Sequence, residues 1–211
     1  MGLPVLIYGK SGSGKSRSLK NFAEDEILLV NVEGKPLPFR KKFEYVLKSD
    51  NVNLIIQQII KMPCKVAVID DAGYLMTHHF MENHKSKKGN ASFEMYDTIA
   101  DTMYQLVKMI RDNVQEDKIV YIVMHEDTDD FGATKLRTIG KLIDNKVCLE
   151  GMVTICIRCM SDGGKHFFRV QTNGMDITKT PEDMFDKPEI ENDLKAVDQA
   201  IREYYGIGET K

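Results

Sequence analysis

One eight-residue segment near the amino terminus constrains the fold of this chain more than any other feature. Residues 9–16 read GKSGSGKS and satisfy the spacing G-x-x-x-x-G-K-[ST] in full. The apolar run at residues 3–8 predicts a buried strand before this segment, and residues 15–23 have a helical pattern after it. A glycine-rich turn between a strand and a helix is typical of a phosphate loop, whose backbone N–H groups point at phosphate oxygens.

The residues of the phosphate loop have different expected roles. Lys15 is expected to contact the β- and γ-phosphates of a nucleotide and to act in catalysis. Ser16 is expected to place its hydroxyl on Mg²⁺. Contacts to the nucleotide are expected from Gly9, Lys10, Ser11, Gly12, Ser13, Gly14, Lys15, Ser16 and Arg17. A chance match is the alternative, and the flanking strand and helix patterns argue against it.

The rest of the chain predicts an α/β fold. Continuous apolar runs predict further strands at residues 26–32, 43–47, 65–69 and 119–124. Helical patterns occupy residues 52–62, 92–113 and 190–204. Residues 72–91 are less regular, and residues 126 to about 138 predict a polar loop. Because such strands are buried on both faces, we expect a mainly parallel sheet flanked by helices. Residues 153–158 and 166–171 predict a C-terminal antiparallel hairpin at one edge of that sheet.

Length and composition limit the class of protein. The 211 residues are 42% hydrophobic and 29% charged, as in an ordinary globular chain, and we expect one domain over residues 1–211. The net charge of -3 argues against a protein covered by nucleic acid but allows a local basic groove. No apolar run reaches the ~20 residues of a membrane span, and the amino terminus lacks a signal-peptide pattern. We therefore expect a cytoplasmic protein that contacts no membrane.

Carboxylates at the ends of predicted strands are the candidates for metal binding and for activating water. Asp70 directly follows an apolar strand and is the expected Mg²⁺ ligand. Glu33 follows another strand, and the carboxyl ends of parallel strands face one crevice, so Glu33 is the expected catalytic base. Asp71 and Glu126 are rival bases at neighbouring strand ends.

Histidine and cysteine residues allow further interpretations. His125 ends the 119–124 strand and is expected to act in catalysis by sensing the γ-phosphate, with a purely structural histidine as the alternative. Cys156 and Cys159 have the spacing of half a zinc site, but an odd spacing on a strand predicts thiols on opposite faces. The remaining histidines of interest, which we expect to be solvated, are His78, His79 and His84.

The order of these features resembles the core of the RecA-type recombinase ATPases. In that family, strands ending in a catalytic glutamate, a metal-binding aspartate and a polar sensor follow the phosphate loop. Here the corresponding positions are Gly9–Ser16, Glu33, Asp70 and His125. The chain more closely resembles small phage-encoded, AAA-type, RecA-like ATPases linked to single-strand annealing and recombination. The similar stretches are YGKSGSGKS, NVEGKPLP, VIDD, IVMHED, TIGKLIDNKV, TKTP and ENDL.

This resemblance implies an ATPase that uses ATP and Mg²⁺, is stimulated by single-stranded DNA and forms a homo-oligomer. It also implies that residues 73–91 and 126–141 line a DNA channel, and that a phage-encoded protein would work in the host cytoplasm. A basic residue supplied by the neighbouring subunit, Arg137 or Lys141, is implied as well. Asp71 stands where many AAA proteins have glutamate, which favours Glu33 as the base.

Three basic clusters are candidates for binding the DNA backbone. They comprise Lys85, Lys87 and Lys88; Lys135, Arg137, Lys141 and Lys146; and Lys35, Arg40, Lys41 and Lys42. The aromatic residues that could stack on bases are Phe80, Phe93 and Phe131. Solubilising surface charge is the alternative interpretation of these clusters.

Two other functions remain open from the sequence. One is a small-molecule or nucleotide kinase, although such kinases close an arginine-rich lid and the seven arginines here are dispersed. The other is a nucleotide-gated binding module that hydrolyses little or no ATP.

Overall fold

The structure is a computed structural model that describes residues 1–208, and its central element is one sheet of nine strands. The strands are β1 Leu3–Gly9, β2 Ile27–Asn31, β3 Tyr45–Leu47, β4 Val66–Asp70, β5 Ile119–Thr128, β6 Thr134–Leu136, β7 Ile155–Asp162, β8 Lys165–Arg169 and β9 Glu189–Glu191. Their order is β3-β2-β4-β5-β1-β7-β8-β9, and β6 pairs with β5. The first six strands of this order are parallel, whereas β8, β9 and β6 pair antiparallel. The predicted fold class is confirmed.

Helices cover both faces of the sheet and bury a core on each. The α-helices are α1 Val52–Lys61, α2 Tyr74–Asn83, α3 Asn90–Asn113, α4 Lys141–Asp144 and α5 Leu194–Tyr205. Helices α1, α2 and α3 pack on one face. A short 3-10 helix at Ser16–Asn21 and helix α5 pack on the other face. Within residues 1–208, no helix is both long and apolar enough to cross a membrane.

The ends of the best-predicted helices follow their local sequence. Asn51 caps α1 by accepting a hydrogen bond from the backbone N–H of Leu54. Asp193 caps α5 in the same manner, and α5 ends at Gly206, whose φ of 62° suits the left-handed region.

Four segments differ from their predicted structure. Residues 190 and 191, predicted as the start of the last helix, belong to strand β9, and α5 begins at Leu194. The helix predicted over residues 15–23 is only the 3-10 helix Ser16–Asn21. The irregular segment expected at 72–91 contains α2, which buries few side chains and so has little amphipathic pattern. The polar loop expected at 126–138 is a hairpin of β5 and β6, because Asp129 accepts hydrogen bonds from the N–H groups of Phe131 and Ala133 and thereby builds the turn.

The position of β5 determines which residues meet at one edge of the sheet. This strand lies between β1, which leads into the phosphate loop, and β4, which ends at Asp70. In register, Gly9 pairs with His125 and Asn31 pairs with Asp70. The last residues of β1, β2 and β4 therefore lie beside His125 of β5 at the carboxyl edge of the sheet.

Candidate functional site

A cavity of about 560 Å³ lies at this carboxyl edge, hereafter the cleft. Its lining is formed by Ser11, Gly12, Gly14, Lys15, Ser16, Arg17, Lys20, Asn31, Lys35, Pro36, Leu37, Pro38, Phe39, Asp70, Asp71, His125 and His166. The cleft combines cations, two adjacent carboxylates and an apolar wall over residues 36–39. This composition suits a ligand with a polyanionic part and a flat, less polar part.

The phosphate loop has a backbone shape that requires glycine at Gly14. Its φ is +104°, and a Cβ at this position would lie 2.8 Å from Nδ1 of His166. His166 Nδ1 donates a hydrogen bond of 2.8 Å to the carbonyl of Ser13. The antiparallel strand β8 therefore braces the phosphate loop from one side.

Lys15 is buried at the centre of the loop. Its Nζ donates hydrogen bonds to the carbonyls of Gly9 at 2.9 Å and Lys10 at 2.8 Å, and it lies 3.4 Å from Nδ1 of His125. Burial lowers the pKa of this amine, and nearby Asp71 and Asp70 partly oppose that effect. A phosphate group would give the ammonium a charged acceptor in place of these carbonyls.

Ser16 and Asp70 form a donor set that fits Mg²⁺. The Ser16 hydroxyl donates to Oδ2 of Asp70 at 2.8 Å, whereas the buried Oδ1 of Asp70 has no hydrogen-bond partner among residues 1–208. Burial, followed by the charge of Asp71, raises the pKa of Asp70. A hydroxyl beside an orphaned carboxylate oxygen matches the oxygen ligands that Mg²⁺ prefers. These two residues would therefore hold the ion.

Asp71 faces the cleft from a strained backbone position, with a φ of 60°. Its Oδ2 lies 2.5 Å from Nζ of Lys35, and its Oδ1 lies 3.3 Å from Nε2 of His125. Burial alone would raise the pKa of Asp71, but the hydrogen bonds from His125 and Lys35 outweigh it and lower the pKa to about 2. Asp71 is therefore an ionised hydrogen-bond acceptor at neutral pH.

His125 connects the phosphate loop with Asp71. Its Nδ1 lies 3.4 Å from Nζ of Lys15, and its Nε2 donates a hydrogen bond to Oδ1 of Asp71 at 3.3 Å. The ring of Tyr74 packs edge-on against it at 6.1 Å between centroids. The backbone N–H of Arg137 donates to the carbonyl of His125 at 2.9 Å, so His125 also contacts the segment that follows β6. Its predicted role as a sensor of the γ-phosphate stays a prediction.

Glu33 is not placed among the residues that line the cleft, contrary to its expected position at a strand tip facing the crevice. It lies two residues beyond the end of β2, just before Gly34, whose φ of +66° turns the chain. Its Oε1 lies 2.7 Å from Nε2 of His78 on α2, whose Nδ1 lies 2.9 Å from Asp50. Its predicted role as base therefore stays a prediction.

Glu126 also faces away from the cleft. Its carboxylate accepts two hydrogen bonds from Arg158, at 2.8 and 2.9 Å, and its side chain is 2% exposed. Asp176 lies behind this pair, with Oδ2 3.8 Å from Nη1 of Arg158. These contacts indicate a buried structural ion pair.

The other predicted nucleotide-binding residues divide into two groups. Ser11, Gly12, Gly14 and Arg17 line the cleft. Gly9, Lys10 and Ser13 are not among the lining residues, but their carbonyls accept hydrogen bonds from Lys15 and His166. Four polar cleft residues had no assigned role in nucleotide binding: Lys20, Asn31, Lys35 and His166. None of these residues belongs to a recognised sequence motif. His166 reaches the cleft because β7 pairs with β8, and no local sequence pattern places that hairpin beside the phosphate loop.

The basic clusters differ in how their charges are used. Lys35 lines the cleft and pairs with Asp71, and Lys41 donates to the carbonyls of Lys20 and Phe22. Lys135 and Lys146 pair with Asp144 and Asp97. By contrast, the turn between α2 and α3 exposes Lys85, Lys87 and Lys88, for which no salt bridge is found within residues 1–208.

The candidate aromatic residues also differ in exposure. Phe80 is half-buried and stacks on His84, with ring centroids 5.0 Å apart. Phe93 is 59% exposed at the start of α3, close in sequence to the lysines of the α2–α3 turn. Phe131 is 90% exposed at the tip of the β5–β6 hairpin, where Asp127, Asp129 and Asp130 make the surroundings acidic.

The two cysteines of β7 lie on opposite faces of the sheet, as their odd spacing predicts. Cys156 belongs to the core under α3, and Cys159 belongs to the core under α5. Burial raises the pKa of Cys159 to about 11, so its thiol stays protonated. This thiol donates to the Ser13 carbonyl at 3.2 Å and thus supports the phosphate loop from below.

Comparison with known proteins agrees with this geometry. Residues 1–182 match the model of the AAA domain family. No curated protein matches the chain. The matched segment contains the phosphate loop, the Asp70–Asp71 pair, His125 and every other residue that lines the cleft. The chain therefore belongs to the AAA domain family of P-loop nucleotide-binding proteins.

Proposed function

We propose that the protein is an ATP hydrolase that acts on single-stranded DNA in recombination or replication. The observation that carries the hydrolase part is the convergence of Lys15, the Ser16–Asp70 pair and Asp71 in one cleft. The resemblance to phage-encoded ATPases linked to single-strand annealing supports the DNA part. On the same resemblance we propose that the protein is phage-encoded and acts in the host cytoplasm.

The cleft residues would divide the work of hydrolysis. Lys15 and the loop N–H groups bind and orient the β- and γ-phosphates. Ser16 and Asp70 would hold Mg²⁺, which would neutralise charge on those phosphates. Asp71 accepts a hydrogen bond from the attacking water and so orients it, because its low pKa makes it a weak proton acceptor. His125 senses the terminal phosphate through Lys15 and Asp71.

Two isosteric variants test which carboxylate, Asp71 or Glu33, orients or activates the attacking water. We expect Asp71→Asn to slow ATP hydrolysis by roughly 100-fold, the low end for a group that activates water. Glu33→Gln should slow it by less than about tenfold, because His78 holds this carboxylate outside the cleft. Single-turnover hydrolysis by both purified variants, with bound nucleotide measured in parallel, checks the order. A reversed order would assign the base to Glu33.

The α2–α3 turn is the surface that we propose for single-stranded DNA. It combines three exposed lysines with the exposed ring of Phe93, which matches the pairing of backbone charge and base stacking in single-strand binding. The β5–β6 hairpin is less suitable, because its exposed Phe131 is surrounded by aspartates that repel phosphate.

Two matched triple variants distinguish these surfaces. Changing Lys85, Lys87 and Lys88 to alanine should weaken single-stranded DNA binding and reduce the slope of log affinity against log salt by about 2, since each phosphate contact contributes about 0.7. The same change at Lys135, Arg137 and Lys141 should have a smaller effect, because Lys135 is already paired with Asp144. Fluorescence anisotropy with a labelled oligonucleotide over a salt series measures both. A larger effect of the second variant would move the DNA site to the hairpin.

One measurement separates the proposed function from its alternatives. ATP hydrolysis is followed with and without single-stranded DNA, and added nucleotides are assayed for phosphorylation. DNA-stimulated phosphate release supports the proposal, and nucleotide phosphorylation without DNA supports a kinase. Nucleotide-dependent DNA or protein binding without turnover supports a gated binding module.

A homo-oligomer is part of the proposal. Arg137 and Lys141 are exposed at the end of the β5–β6 hairpin, close to His125 along the chain path. A residue that acts in the neighbouring subunit is revealed when its variant, mixed with Lys15→Ala protein, regains hydrolysis that neither protein has alone.

A further inference from the structure

The cleft contains a second lysine whose role the phosphate loop does not explain. Lys35 lies on the segment that follows β2, between Gly34 and Pro36, and it lines the cleft. Its Nζ is 2.5 Å from Oδ2 of Asp71 and 5.5 Å from the centroid of the Tyr74 ring. Its side chain is 55% exposed, so a long and flexible stem carries this charge at the cleft surface.

Lys35 stands at one end of a continuous series of charged and polar groups. Lys15 Nζ lies 3.4 Å from His125 Nδ1, and His125 Nε2 lies 3.3 Å from Asp71 Oδ1. The other oxygen of Asp71 contacts Lys35. Lys35 therefore contacts Asp71 directly, whereas Lys15 is connected to the same carboxylate through His125. Both lysines line the cleft, so one polyanionic ligand could contact both charges.

We propose that Lys35 is a second phosphate-binding residue, specific for the terminal phosphate of a nucleoside triphosphate. This inference rests on the proposed nucleotide function. A terminal phosphate carries more charge than one carboxylate, so Lys35 exchanges Asp71 for the phosphate when a triphosphate binds. Asp71 then has a free oxygen for the attacking water. A diphosphate does not reach Lys35, and the Lys35–Asp71 pair is retained.

Affinity for two nucleotides tests the proposal without requiring turnover. The dissociation constants of ADP and of a non-hydrolysable ATP analogue are measured with Mg²⁺ and without DNA. Lys35→Met should weaken analogue binding by roughly 10- to 100-fold, as expected for loss of a hydrogen bond between charged groups. ADP affinity should change by less than about twofold, Lys35→Arg should keep part of the analogue affinity, and the exposed control Lys48→Met should change neither.

The same measurements in Asp71→Asn protein test whether Lys35 acts only by holding Asp71 in place. In Asp71→Asn protein the ion pair is already lost, and Lys35→Met should still weaken analogue binding selectively. If the Lys35 effect vanishes in that background, or if ADP and the analogue weaken equally, the proposal is overturned. If the wild-type protein binds neither ADP nor the analogue, the proposed nucleotide function itself is overturned. This outcome is distinguishable from failure of the Lys35 proposal, in which the wild type binds both nucleotides.

Discussion

Lys15→Ala protein is expected to fold but to lose ATP hydrolysis by about 100-fold or more, the usual effect of removing one preorganised electrostatic contact to a transition state. The reason is the position of its Nζ, which is buried among the carbonyls of the phosphate loop and lies beside His125. Steady-state phosphate release by the purified protein measures the loss. Nucleotide binding should weaken as well.

The exposed Lys61 at the end of α1 provides the matched control. Lys61→Ala removes the same charge and the same methylene groups far from the cleft, so its turnover should equal that of the wild type. Unchanged turnover in folded Lys15→Ala protein would contradict the assignment of the phosphate loop.

The largest loss of stability is expected from Arg158→Met. The side chain of Glu126 is 2% exposed and that of Asp176 is fully buried, and both face the Arg158 guanidinium. Removing one partner of a buried ion pair leaves an uncompensated charge and costs about 3–5 kcal/mol. Urea denaturation at neutral pH should therefore give a correspondingly lower free energy of unfolding.

The double variant Glu126→Leu with Arg158→Met distinguishes a coupled pair from two separate effects. Replacing both partners with apolar groups removes the unpaired Glu126 charge, so most of the lost stability should return. Arg111→Met on α3 is the surface control, because its partner Asp112 is partly exposed, and it should cost less than about 1 kcal/mol. Additive losses in the double variant would show that Glu126 and Arg158 do not act as a pair.

The sequence predicted the parts of the fold that local patterns encode. Strands β1, β4 and β5 are continuous apolar runs, and α3 and α5 have strong three- and four-residue periodicity. Helix α2 was missed because it buries only Leu75 and Met76 and has polar residues around them. The β5–β6 hairpin was missed because its turn depends on the side chain of Asp129, which resembles an ordinary loop residue in the sequence.

The candidate site likewise contains residues that local sequence patterns predict and residues whose positions depend on contacts distant in the chain. The phosphate loop, Asp70 and His125 follow from a motif or from strand ends, and they meet because β5 lies between β1 and β4. The orientation of Glu33 depends on the turn at Gly34 and on His78 of the unpredicted α2. His166 reaches the phosphate loop only through the pairing of β7 with β8, which joins residues far apart in the chain.

The central position of β1 has a consequence for how the protein is made. Residues 3–9 are almost entirely apolar and buried, yet their two neighbours in the sheet are β5 and β7. On the order of 100 residues separate β1 from β5, its first partner in the sequence. At a synthesis rate of roughly 5–20 residues per second, β1 therefore remains unpaired for several seconds or longer. Such late pairing slows folding and leaves an apolar strand exposed in the meantime. We therefore expect nascent chains that stop before β5 to depend on chaperones and to lack a formed nucleotide site.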